Sequence, residues 1–141
     1  MADPYSGALY VDTSALVKLV VREVESDAIA HEVSHWEWLV TSDIAPIELQ
    51  RATTRARADG RTAVADGRTI LEVLAALDAI PMTDEVRAAA ASIEPVELRT
   101  LDAIHLASAL SLGDDLAAVL TYDRRMADAA ESRGLAVVAP S

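Results

Sequence analysis

Short apolar runs alternate with longer helical segments along this chain, and that alternation limits the folds that the sequence can adopt. Each run has four or five residues and stands between polar or turn residues, which is typical of buried strands. Strands that alternate with helices indicate a parallel sheet covered by helices on both faces. The candidate strands are Ala8 to Val11, Trp38 to Thr41, Ala79 to Met82, Leu116 to Leu120 and Leu135 to Val138.

The pattern therefore predicts an α/β fold with three layers, α/β/α, around a central, mainly parallel sheet of four or five short strands. Pro81 indicates that the third strand lies at an edge, because proline cannot donate a ladder hydrogen bond. Capping residues, prolines and glycines mark the helix ends. The predicted helices are Thr13 or Ser14 to Val20 or Val21, Ser26 to His35, Ser42 or Asp43 to Gly60, a fourth to Leu77, Thr83 to Ile93, Thr100 to Leu112, and Arg124 to Arg133.

Length and composition narrow the class of protein. The 141 residues predict a single domain over residues 1–141. The chain has no cysteine, which excludes disulfides and thiolate metal sites. No apolar stretch approaches the roughly 18–20 residues that cross a bilayer, and the N-terminus lacks the basic start of a signal peptide. We therefore expect a cytoplasmic protein that does not associate with a membrane.

Four acidic residues occupy positions where this fold class performs chemistry. Asp12 directly follows the first strand and Asp123 the fourth, and open parallel sheets bind ligands at the carboxyl ends of their strands. Glu48 and Asp102 each lie among apolar residues near the start of a predicted helix. Taken singly, each acid has an ordinary explanation as a turn residue, a helix cap or a first-turn acid. Taken together, the four predict one acidic site.

A cluster of carboxylates needs a counter-charge. Two carboxylates about 4 Å apart repel each other by about 4 kcal/mol at an effective dielectric constant of 20. Protons or a cation must therefore compensate the cluster, and oxygen ligands favour Mg²⁺ or Mn²⁺ over zinc. Such an ion activates water and neutralises charge that develops on a phosphoryl group. The site chemistry is thus compatible with hydrolysis of phosphodiesters.

The charge distribution bears on the partner. A formal net charge of −11 argues against a nucleic-acid ligand when it is taken alone. Residues 51 to 68, however, include five arginines and only two aspartates, so this segment is locally basic. We expect Arg51 and Arg55 to contact the phosphates of a nucleic acid, although a solvated helical face would have the same composition.

Four segments resemble the sequence motifs of PIN domains, specifically the VapC toxins of bacterial toxin–antitoxin pairs. Any one of them is a weak signal, but all four occur in order and with family-like spacing over nearly the whole chain. They contribute Asp12, Glu48, Asp102 and Asp123 in turn. The segments are Tyr10 to Leu19, Thr41 to Ala52, Leu98 to Ala109 and Leu120 to Met126.

The resemblance implies a PIN-like fold and a Mg²⁺-dependent endoribonuclease, with Mn²⁺ as a possible substitute. It implies that Asp12, Glu48, Asp102 and Asp123 are both catalytic residues and metal ligands. Ser14 and Thr121 would support them through hydrogen bonds, unless they are only a helix cap and a strand end. The resemblance also implies an RNA substrate, a VapB-type antitoxin and a homodimer.

Parts of the sequence also fit three other functions. His31-Glu32-x-x-His35 matches the zinc-protease motif, but a third protein ligand has no obvious source, so a metalloprotease is a distant alternative. A phospho-acceptor receiver domain would need a lysine late in the chain, and Lys18 is the only lysine. A catalytically silent PIN domain that only binds RNA or protein remains a further alternative, although it would be expected to have lost some of the acids.

Overall fold

The computed structural model describes residues 3–141 as a five-stranded sheet between two layers of helices. The strands are β1 (Ala8–Val11), β2 (Trp38–Ser42), β3 (Asp78–Ile80), β4 (Leu116–Leu120) and β5 (Val137–Val138). The helices are α1 (Thr13–Val20), α2 (Ser26–Val33), α3 (Ala45–Ala58), α4 (Gly67–Ala75), α5 (Asp84–Ser92), α6 (Thr100–Leu110) and α7 (Arg124–Glu131), with a 3-10 turn at Gly113–Asp115.

All neighbouring strands of the sheet run parallel, in the order β3-β2-β1-β4-β5. The predicted α/β fold with a parallel sheet is therefore confirmed. The third strand lies at an edge, as predicted, but it spans Asp78–Ile80 rather than Ala79 to Met82. It ends before Pro81, which has no N–H with which to continue the ladder. The central strand β1 pairs with β2 on one side and with β4 on the other, so the carboxyl ends of these three strands lie together.

Alternation along β1 divides the core between the two layers. Leu9 and Val11 pack in one apolar cluster with residues of α1, α2, α3 and α4. Ala8 and Tyr10 pack in a second cluster with residues of α6 and α7. Both faces of β1 are buried, which explains why its sequence is a continuous apolar run rather than an alternating one.

Several helix boundaries differ from the prediction. The N-cap of α3 is Ile44 rather than Ser42 or Asp43, and the N-cap of α6 is Arg99 rather than Thr100; neither residue forms a side-chain cap. In contrast, Thr83 and Asp123 cap α5 and α7 by accepting backbone N–H groups. Helix α1 ends where it was predicted to end, α5 ends one residue earlier than predicted, and the other five helices end two residues earlier, as is common where the last helical turn frays.

No helix within residues 3–141 is long and apolar enough to cross a membrane.

Candidate active site

The four predicted acids line one cavity of about 380 Å³ at the carboxyl edge of the sheet. Asp12 follows β1, and Asp123 follows β4 at the N-cap of α7. Glu48 and Asp102 lie in the first turns of α3 and α6. Because α3 and α6 belong to opposite layers, the cavity is built from both sides of the sheet.

Two hydroxyl groups hold the carboxylate of Asp12. Ser14 Oγ and Thr121 Oγ1 each donate to Asp12 Oδ2 at 2.8 Å. The backbone N–H of Asp12 donates to the carbonyl of Leu120 at 3.0 Å, which continues the β1–β4 pairing. Asp12 is only 3% exposed, so its hydrogen bonds leave it little freedom to rotate. The structure thus places both predicted supporting residues against Asp12.

A single arginine bridges two of the other acids. Arg99 Nε donates to Asp102 Oδ2 at 3.1 Å, and its Nη2 donates to Asp123 Oδ2 at 2.9 Å. Burial and the charge of Asp123 raise the pKa of Asp102, and the opposing effect of Arg99 is too small to cancel them. The Arg99 side chain is itself 63% exposed. It can therefore leave the acids without unpacking the core.

A buried histidine holds the fourth acid. His105 Nε2 lies 2.6 Å from Glu48 Oε1, which also accepts a hydrogen bond from Thr13 Oγ1 at 2.8 Å. On the other side of the imidazole, Nδ1 lies 2.7 Å from the hydroxyl of Tyr10. Since a carboxylate can only accept, His105 Nε2 must carry a proton.

The charge state of this histidine follows from its neighbours. Burial lowers the pKa of His105, but the hydrogen bond to Glu48 and the charges of Asp12, Glu48 and Asp102 outweigh it. The net effect is a raised pKa. His105 is therefore a partial counter-charge beneath the acidic cluster.

The arrangement of donors explains what the site can hold. Its inward-facing acids supply only carboxylate oxygens, the donor set of hard divalent cations. Three of the four acids have basic partners, because Arg99 contacts Asp102 and Asp123 and His105 contacts Glu48.

Three further residues complete the site but were not predicted as site residues. Arg99 precedes Asp102 by one helical turn, so its spacing was a usable signal for a pair. Thr13 and Tyr10 stand next to the strand end that carries Asp12, but nothing local marks their partners. His105 is both packed in the core and hydrogen-bonded.

Arg51 and Arg55 project from α3 into solvent. They follow Glu48 by three and seven residues, and such spacing places all three side chains on one helical face. The structure therefore brings the two predicted RNA contacts onto the same face as a cluster acid.

The protease-like motif has structural partners instead of a metal site. Glu32 accepts a hydrogen bond from Trp36 Nε1 at 2.9 Å. His35 stacks on Tyr5, and the rings of His31 and His35 contact each other edge to face. The metalloprotease alternative therefore has no support from these residues.

Comparison with known protein families matches the PIN domain over residues 9–132. The chain is 46% identical to Ribonuclease VapC46 of Mycobacterium tuberculosis, over 95% of this chain and 98% of that protein. It is 43% identical to Ribonuclease VapC35 and 35% identical to Ribonuclease VapC47 of the same species, each over 94% of this chain and 96% of the relative.

The sheet order, the acidic cavity at its carboxyl edge and the family match together define a PIN domain. By its similarity to relatives over nearly the full length of both chains, this protein belongs to the VapC branch of the PIN-domain family.

Proposed function

We propose that this chain is an endoribonuclease toxin of a toxin–antitoxin pair and hydrolyses RNA phosphodiester bonds at the acidic cavity. The observation that carries the proposal is the convergence of Asp12, Glu48, Asp102 and Asp123 on one cavity. The same activity is supported by the relatives, which match this chain over nearly their full length and are named ribonucleases.

PIN-domain ribonucleases are in general metal-dependent, and the donor set here fits such an ion. We propose Mg²⁺, with Mn²⁺ as a substitute, held by Asp12 and Asp102 and completed by Glu48 and Asp123, directly or through water. When bound, the ion would activate water for attack and neutralise charge on the phosphoryl oxygens. The positive charge of the ion would also offset the mutual repulsion of the carboxylates.

The surrounding residues prepare the acids for this role. Ser14 and Thr121 fix the orientation of Asp12 by donating to the same oxygen. Thr13 and His105 both engage Glu48 Oε1, which leaves Oε2 free for a ligand. Such fixed orientation lowers the reorganisation that binding and reaction would otherwise require. Arg51 and Arg55 would bind phosphates of the RNA along α3.

Membership of the VapC family implies a VapB-type antitoxin, and we propose that such an antitoxin neutralises this chain. We also propose that the chain forms a homodimer. Analytical ultracentrifugation of the chain, alone and with a candidate VapB-type antitoxin, tests both points. A monomer at all concentrations would contradict the dimer.

The activity is tested by incubating the purified protein with total bacterial RNA in Mg²⁺, in Mn²⁺ and in EDTA. We expect the natural protein to produce discrete RNA fragments only when the metal is present. The Asp102→Asn variant should produce none. Arg87→Gln, which removes an exposed arginine paired with Asp84, is the matched control and should cleave normally. RNA binding without cleavage in any metal would instead favour the catalytically silent binding module.

A further inference from the structure

The partners of the basic side chains separate them into two groups. Within residues 3–141, eight of the twelve basic side chains form an ion pair with a carboxylate or donate a hydrogen bond to a backbone carbonyl. The other four make no such contact within that range and are exposed. They are Arg51, Arg55, Arg124 and Arg125. In a chain with a net charge of −11, carboxylates are plentiful, so unpaired arginines are not explained by a lack of partners.

These four arginines lie on two sides of the acidic cavity. Arg51 and Arg55 follow Glu48 on α3, and Arg124 and Arg125 directly follow Asp123 at the start of α7. Helices α3 and α7 follow β2 and β4, which flank the central strand β1 on opposite sides. They also belong to opposite layers. The cavity with its four acids therefore lies between two pairs of free cations.

Arg124 and Arg125 occupy a position where positive charge does not favour the stability of the fold. Arg124 and Arg125 are the first two residues of α7, where the partial positive charge of a helix N-terminus repels cations. The neighbouring carboxylate of Asp123 accepts from Met126 N and from Arg99 and forms no ion pair with either arginine at the start of α7 within residues 3–141. An anionic ligand would relieve this local excess of positive charge.

A groove beside this pair provides room for such a ligand. Arg125 lines a depression of about 660 Å³ between the segment before α6 and the outer face of α7. Leu98 and Ala129 supply apolar surface there, and the acids Glu94, Glu97 and Asp128 also line the groove. None of these acids forms an ion pair with Arg125 within the described residues, so the guanidinium group is available to a phosphate.

We propose that Arg124 and Arg125 form a second phosphate-binding site, which holds the RNA backbone on the α7 side of the cavity while Arg51 and Arg55 hold it on the α3 side. This inference rests on the proposed ribonuclease function. It extends that function by specifying the path of the strand across the acids. Two anchoring points would carry the chain over a cavity that otherwise repels it.

The test is equilibrium binding of a labelled single-stranded oligoribonucleotide in EDTA, measured over a range of salt concentrations. Arg124→Gln/Arg125→Gln is compared with Arg51→Gln/Arg55→Gln. The matched control is Arg22→Gln/Arg68→Gln, which removes the same charge from arginines that are paired with Asp27 and Glu72. Each lost phosphate contact should reduce the slope of log K against log salt by about 0.7.

We expect both test variants to bind several-fold more weakly and with a smaller salt slope than the control. Thermal unfolding distinguishes this result from misfolding, since removing two cations from the N-terminus of α7 should leave Tm unchanged or raise it. The inference would be overturned if Arg124→Gln/Arg125→Gln had the same RNA affinity and salt slope as the control while Arg51→Gln/Arg55→Gln lost affinity. That result would leave the proposed ribonuclease function intact. A natural chain that neither binds nor cleaves RNA would instead overturn the proposed function.

Discussion

The imidazole Nε2 of His105 lies 2.6 Å from Oε1 of Glu48, and this contact joins the two helical layers across the end of the sheet. The histidine is 1% exposed, whereas the Glu48 side chain is 20% exposed. A buried donor on α6 thus orients a partly exposed acid on α3. The hydroxyl of Tyr10 on β1 completes the chain of contacts at Nδ1.

We predict that His105→Leu lowers cleavage at least tenfold, because Glu48 loses the donor that orients it. His105→Gln should recover much of the activity, since its amide can place an N–H near the position of Nε2. The comparison uses kcat and KM for one RNA substrate, and urea unfolding tests the fold of both variants. We expect the difference in kcat, because the RNA does not contact the buried ring.

Tyr10→Phe serves as the control, since it removes only the hydroxyl at Nδ1 and leaves Glu48 its donor. It should cost about 1 kcal/mol of unfolding free energy with little change in kcat. Equal activity of His105→Leu and the natural chain would show that Glu48 needs no such positioning.

Asp102→Asn should separate activity from stability. We expect a loss of cleavage of at least about a hundredfold, which corresponds to about 3 kcal/mol of transition-state stabilisation. The unfolding free energy without metal should remain unchanged or rise by up to about 1 kcal/mol. The reason is that burial and the charge of Asp123 raise the pKa of Asp102 and disfavour its charged form. A large loss of stability would contradict this assignment of the acid.

Removal of Arg99 should favour metal binding. Arg99 occupies oxygens of both Asp102 and Asp123, so a cation must compete with it. We predict that Arg99→Gln binds Mn²⁺ several-fold more tightly than the natural chain, as measured by isothermal titration calorimetry without RNA. Arg87→Gln, whose arginine pairs with Asp84 alone, should leave the affinity unchanged. Weaker Mn²⁺ binding by Arg99→Gln would refute the competition.

The ion pairs of Lys18 predict a defined pH dependence. Lys18 Nζ contacts Glu23 at 2.7 Å and Glu25 at 2.9 Å. Burial lowers the pKa of Lys18, but its hydrogen bonds to the two glutamates outweigh burial and raise the pKa above 10.5. Hydrogen bonding to Lys18 lowers the pKa of Glu25 below 4.5.

The ion pairs of Lys18 should therefore contribute fully to the unfolding free energy between pH 4.5 and pH 10.5, the ordinary pKa values of the glutamate and the lysine. This contribution is lost as pH rises through the raised pKa of Lys18, and also as pH falls through the lowered pKa of Glu25. Lys18→Met should reduce the unfolding free energy by roughly 1 kcal/mol at neutral pH. Urea unfolding of both proteins across pH should show the difference shrinking at the two extremes. A constant difference would mean that packing of the lysine stem, rather than its charge, is responsible.

Much of the fold could be predicted because it depends on local signals. The apolar runs predicted all five strands, and Pro81 predicted the edge position of β3. Asp12 and Asp123 could be assigned to one edge of the sheet because parallel strands end at the same side. Helix boundaries were less certain, because α3 and α6 begin without a side-chain cap.

The sequence by itself thus determined the order of elements, the parallel sheet and the four acids at its edge. Only the tertiary structure decided which groups engage those acids. Thr121 and Asp12 are 109 residues apart, and His105 and Glu48 are 57 apart. Such contacts depend on how α3 and α6 pack on opposite faces of the sheet, and neither periodicity nor spacing carries that information. The same packing placed Arg99 between two acids and left Arg124 and Arg125 without a charged partner among residues 3–141.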